Sequence, residues 1–182
     1  EALGELLDTH GWTNDPMLAL PDDDRGRARI FELREAVPAT VNRLVAQSKA
    51  RVNPGIQKTA GDLIVPFDQL EASLALYRRA FDSRGLQYAI WGHLSDANLH
   101  PNVIPRSLDD VVRGQDALTE IADGVIALGG APLAEHGVGR SAVKQACMRQ
   151  LVGDRGIDEM RAIKRALDPS SKLAPGVLFP NA

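Results

Sequence analysis

The sequence predicts an α+β domain in which an antiparallel sheet carries two helices on one face. Three observations lead there. Apolar residues recur at helical spacing in two well-separated stretches; short β-branched or aromatic runs flank those stretches; and the resulting order is β-α-β-β-α-β.

Taken along the chain, residues 1–21 are weakly patterned, and LGELLDTHGW suits either a helix or a strand. Asp22 to Asp24 then cap a helix in which Ile30, Leu33, Val37, Val41, Leu44 and Val45 form an apolar stripe, with Pro38 as a kink or break. Asn53-Pro54-Gly55 marks a loop. DLIVP, residues 62–66, reads as the first strand. Asp68 is placed to N-cap a helix striped by Leu70, Leu74, Tyr77 and Phe81, with Gly85 closing it. LQYAIWGHL and LHPNVIP read as a pair of strands joined by the turn SDAN. Ser107 opens a long helix that Gly129-Gly130 ends, and APLAEHG is a fourth strand candidate. Two shorter helices follow, over 141–152 and 157–167, before a turn-rich tail. This order is the ferredoxin-like split β-α-β pattern.

Composition narrows the function classes. At 182 residues the chain is one domain's worth, 44% hydrophobic, with a net charge of −3 that offers no electrostatic footprint for nucleic acid. No apolar run reaches the length of a membrane helix. The single cysteine, Cys147, excludes an internal disulfide and fits a reducing, cytoplasmic location; in its helical stretch it reads as a small buried residue.

The stretch GHLSDANLH, residues 92–100, concentrates two of the four histidines. If Asp96 and Ala97 centre a two-residue turn, His93 faces His100 across the hairpin with Cβ atoms about 4.5–5.5 Å apart. Two imidazoles so placed can share one metal ion; a register change of one residue would separate them onto opposite faces. The alternative is that each merely caps a strand end or meets solvent. Further ligands would come from AEHGVGR, where Gly137 and Gly139 allow the bend that brings neighbouring Glu135 and His136 to one side. Two histidines and a carboxylate leave an open coordination position, and a further histidine beside them can act as a base. Trp91, beside the motif, reads as a core residue.

These residues carry a family resemblance. GHLSDANLH resembles the motif GHxGDGNxH, and EHGVGR the EHGxGxxK-type motif, of the C-terminal domain of FAD-linked oxidases in the vanillyl-alcohol oxidase superfamily. That group includes glycolate oxidase and the D-lactate and D-2-hydroxyglutarate dehydrogenases. KTAGDLIVP resembles the segment before the family's first cap helix, and LDPSSKLAPGVLFP its closing DPxxxLNPGK. The likeness covers most of residues 30–180, with the motifs in family order.

The resemblance implies an oxidoreductase that converts a 2-hydroxy acid to a 2-oxo acid, with FAD as the hydride acceptor and zinc or another divalent metal. It implies His93, His100 and Glu135 as metal ligands, His136 as general base, Asn98 beside the reacting centre, and Arg34 on the substrate carboxylate. It also implies that residues 1–182 are the substrate-binding cap of a larger enzyme. A flavin domain not recognisable in this stretch completes that enzyme, so the isolated chain is expected to bind no FAD and to be inactive. The electron acceptor is unassigned and homo-oligomerisation stays open. A non-catalytic binding or oligomerisation module of the same fold, and a metal-dependent hydrolase, are the competing readings. Departures from the family pattern are Ser95 and Ala97 in place of glycines, Ala174 in place of asparagine and Val177 in place of lysine. Lys58 stands four residues before Asp62, whereas the substrate lysine of some relatives lies two before.

Overall fold

A computed structural model describes residues 5, 9, 11 and 19–180. The weak N-terminal stretch, His10 included, lies mostly outside the described residues. The chain divides into two compact units, residues 1–39 and 40–182. Helix α1, Asp24–Arg51, runs through both with Pro38 inside it. Of the expected apolar stripe only Val41 and Val45 are buried, whereas Leu33 and Val37 are exposed. The stripe is therefore a core face only in its last turns, where Val41 and Val45 pack with Ile56 and Val111.

The second unit holds the sheet. Strands β1 (Thr59–Ala60) and β2 (Leu63–Ile64) pair antiparallel with β4 (Asn98–Val103), which pairs on its other side with β3 (Tyr88–His93). Pro101 explains why the first strand is split. Its carbonyl accepts the Gly61 N–H at 2.9 Å, but it has no N–H to return, so the ladder lapses between β1 and β2 without changing register. The expected fourth strand is reduced to bridges at Ile64–Ala131 and Asp62–Leu133, because Pro132 withholds a donor between them. The sheet order is nonetheless that of the split β-α-β pattern, and the protein is α+β as expected.

Helices α2 (Leu70–Asp82) and α3 (Leu108–Ala127) bury Tyr77, Phe81, Ile121 and Val125 against Leu63, Leu99 and Val103 on one face of the sheet. The α3 cap is as expected: the Ser107 hydroxyl accepts the Asp110 N–H at 3.0 Å. The α2 cap is not. A 3-10 turn over Phe67–Gln69 precedes the helix, which places Asp68 inside that turn and leaves Gln69 at the cap without a side-chain bond. Helix α4, Ala142–Leu167, is interrupted at Gly153, matching the two helices expected there. Among the described residues no helix is long and apolar enough to cross a membrane.

In the C-terminal tail Ala174 is exposed with φ 43°, a left-handed conformation that costs a residue bearing a Cβ about 1–2 kcal/mol. Asparagine adopts that region more readily. Ala174→Asn is therefore expected to raise stability by about 0.5–1 kcal/mol, an increase in Tm on the order of 1–4 °C by calorimetry. An unchanged or lower Tm would contradict this account of the tail.

Candidate functional site

The β3–β4 hairpin does not close on a two-residue turn. Leu94–Asp96 form a 3-10 turn and Ala97 takes φ 51°, ψ 29°, its N–H bonded to the Leu94 carbonyl at 3.2 Å. His93 consequently pairs with Asn98, and His100 with Trp91, correcting the expected His93–His100 pairing. The cause is Ala97, whose methyl is buried in the core beneath the turn and whose backbone accepts a glycine-like conformation. The shift is two residues, and an even shift keeps every side chain on its face. His93 and His100 are thus diagonal neighbours on one face, with ring centroids 6.1 Å apart, and Asn98 lies between them. Trp91 is half-buried among the apolar residues packed under α1.

Glu135 and His136 arrive on the same site from the loop after the Leu133 bridge. One carboxylate oxygen, Oε1 of Glu135, lies 2.9 Å from His136 Nε2, 3.1 Å from His100 Nε2 and 3.6 Å from His93 Nε2. The His100 and His136 rings stack with centroids 4.6 Å apart. His100 is buried at 5% exposure, while Glu135 and His136 are open to solvent. Burial, and then the neighbouring His136, hold the His100 imidazole below the usual histidine pKa, against the opposing pull of Asp62 and Glu135.

Asp62 is the residue that sequence reasoning missed. It stands opposite His100 in the register that β1 and β2 share, at 1% exposure, with Oδ1 3.5 Å from His100 Nδ1. Candidate ligand atoms of Asp62, His100, Glu135 and His136 all lie within 4.8 Å of one another. Asn98 Oδ1 is buried without a hydrogen-bond partner. Arg34 lies in the first unit, exposed, with its guanidinium on Glu35 at 2.7 Å. Lys58 donates to Asn42 at 3.1 Å, near the Trp91 ring.

The donor set suits a divalent ion of the zinc type, which takes imidazole nitrogen and carboxylate oxygen. Two features of the structure agree with that fit. A carboxylate oxygen gathers three imidazole nitrogens around it, and a buried ring nitrogen without a hydrogen-bond partner, His100 Nδ1, faces the Asp62 carboxylate at 3.5 Å. A divalent cation held by these imidazole nitrogens and the carboxylate would turn the first from a loose cluster into a coordination site. The second is the outward support that a metal-bound histidine ordinarily has.

The sequence is similar to several proteins that bear the names of oxidoreductases. The Bacillus subtilis protein "Glycolate oxidase subunit GlcD" is 40% identical over 91 residues, 49% of this chain and 19% of that protein. The Escherichia coli "D-2-hydroxyglutarate dehydrogenase" is 31% identical over 188 residues, 98% of this chain and 17% of its own length. The Danio rerio "Probable D-lactate dehydrogenase, mitochondrial" is 27% identical over 160 residues, 87% and 30% respectively. The chain thus spans less than a third of the length of each of these relatives. Residues 1–178 match the family described as "FAD linked oxidases, C-terminal domain", and the chain belongs to that family.

Proposed function

We propose that this chain is the metal- and substrate-binding domain of an FAD-dependent oxidoreductase that converts a 2-hydroxy acid to a 2-oxo acid. The observation that carries the reading is the gathering of His93, His100 and His136 around one Glu135 oxygen on an open face of the sheet. The three relatives named above bear the names of enzymes for glycolate, D-lactate and D-2-hydroxyglutarate, which share a hydroxyl beside a carboxylate. A companion FAD-binding domain, to which this one is C-terminal, belongs to the reading, as does a cytoplasmic location. The buried, unpaired Cys147 is compatible with that compartment.

His93, His100 and Glu135 would hold the metal, whose chemistry when bound is Lewis acidity toward the substrate hydroxyl, lowering its pKa. FAD supplies the hydride acceptor. His136 is assigned the hydroxyl proton: its ring is solvent-accessible and stacked on His100, and Nε2 is free to accept once Glu135 Oε1, now 2.9 Å from it, turns to a bound cation. Asn98, opposite His93 in the strand register, offers its buried, unpartnered Oδ1 to a hydroxyl or N–H donor. Arg34 is assigned the substrate carboxylate, which a guanidinium binds through two parallel hydrogen bonds. Its exposed pairing with Glu35 is worth little and can be exchanged.

The test uses the enzyme comprising this chain and its FAD-binding domain. Purified enzyme should carry about one divalent ion at this site and reduce a dye with a 2-hydroxy acid as donor. His93→Ala/His100→Ala should lose both. Hydrolysis of esters or phosphates without oxidation of any 2-hydroxy acid would instead favour a metal-dependent hydrolase.

A further inference from the structure

The site contains a charged group that this reading leaves idle. Asp62 belongs neither to the ligand set nor to the proton path, yet it is more deeply buried than His93, His100, Glu135 or His136. An ionised carboxylate withdrawn from water costs several kcal/mol unless its lone pairs are satisfied. One of its oxygens is well supplied: Oδ2 accepts the backbone N–H of Glu135 at 3.0 Å and of His136 at 2.7 Å. The other, Oδ1, has no hydrogen-bond partner, and His100 Nδ1, 3.5 Å away, has none either.

A neutral imidazole carries one N–H and one lone pair. If His100 placed its proton on Nε2, the Nδ1 lone pair would face the Oδ1 lone pairs in a buried space, two acceptors with no donor between them. With the proton on Nδ1, a donor faces Asp62 Oδ1 across the 3.5 Å gap, which a small approach would close into a hydrogen bond, and the Nε2 lone pair points toward Glu135 Oε1 at 3.1 Å, where the cluster converges. That second pair of acceptors is the one open to solvent and to a cation.

We propose that Asp62 is a positioning residue of this site: through Oδ1 it holds His100 as the Nδ1–H tautomer with Nε2 free to ligate, and through Oδ2 it fixes the loop that delivers Glu135 and His136. One side chain thereby sets the distance between the sheet-borne and the loop-borne halves of the site. This inference rests on the metal reading only for the identity of what Nε2 binds; the tautomer and the loop anchor are properties of the chain itself.

The experiment pairs proton–nitrogen NMR of the His100 ring with zinc titration, on wild type and Asp62→Asn. The asparagine is close to isosteric and keeps one oxygen for the two backbone N–H groups. Its amide nitrogen then faces His100 Nδ1 and donates, so the ring must carry its own proton on Nε2. Wild type is expected to show a protonated Nδ1 and an unprotonated Nε2 that responds to zinc. Asp62→Asn is expected to show the reverse, with zinc affinity about 10–100-fold weaker and far-ultraviolet circular dichroism unchanged. A merely structural Asp62 would leave the tautomer alone, so a wild-type ring protonated at Nε2, or a variant with unaltered zinc affinity, overturns the proposal. If wild type bound no zinc, the metal reading would fail separately. The metal-free wild-type ring, measured well above the imidazole titration range, would still decide the role of Asp62, and it does so even if the variant fails to fold.

Discussion

Glu135→Gln is expected to empty the site of divalent metal and to lower turnover of the flavin-bearing enzyme by about three orders of magnitude. The reason is the geometry of the hub. Glu135 Oε1 lies within 3.6 Å of all three imidazole Nε2 atoms, and it brings the negative charge that offsets a divalent ion. A neutral amide keeps the shape and removes that charge. Lewis-acid stabilisation of a developing alkoxide is worth several kcal/mol, and about 4 kcal/mol corresponds to the thousandfold loss. Stability should barely move. The Glu135 backbone is anchored by Asp62, and its side chain is 42% exposed, so the fold does not depend on the carboxylate. Metal analysis by mass spectrometry, beside steady-state kinetics with a 2-hydroxy acid, checks both parts. A variant that retained its metal would show that Glu135 is not a ligand.

How much of this site could be read from the sequence depends on how far apart in the chain its parts lie. Helices α2 and α3 follow from local periodicity and from punctuation that sits where the helix ends: Ser107 caps one, and Gly85 closes the other with φ 60°. The common face of His93 and His100 was also legible, because the residues between them form one short loop and an error of two in register preserves faces. The register itself was not, since it depends on Ala97 being drawn into the core. Asp62 was out of reach for a different reason. It meets His100 only because β1 and β2 pair with β4, and its bonds to Glu135 and His136 span more than seventy residues. No local pattern distinguishes it from an aspartate that merely starts a strand. In α1 the reverse happened: the periodicity is real, but Leu33 and Val37 find no core to face within their own unit. Arg34 was reached through family resemblance alone, since an exposed helix arginine paired to its neighbour looks like many others.

Gly92→Ala is expected to destabilise the protein by about 4 kcal/mol or more, lowering Tm by on the order of 10 °C and removing metal binding with it. Gly92 precedes His93 with φ 152°, a conformation that side-chain-bearing residues rarely adopt. Space forbids the substitution independently: an added Cβ would lie 2.2 Å from the Asn98 carbonyl oxygen and 2.8 Å from the Leu99 Cα. Both obstacles are backbone atoms of β4, so relief requires β3 and β4 to move apart, and β4 carries Asn98 and His100. The comparison that isolates this effect is Gly85→Ala. That glycine also has positive φ, at 60°, but nothing lies within 4 Å of where its Cβ would be, so its cost should stop at the conformational penalty of about 1–2 kcal/mol. Chemical denaturation of the two variants gives the difference directly. Equal losses would mean that the strands at Gly92 are not held as closely as the coordination geometry of His93 and His100 requires. A larger loss at Gly92, together with loss of zinc binding in protein that is still folded, would show that the glycine serves the site through strand spacing rather than through the turn.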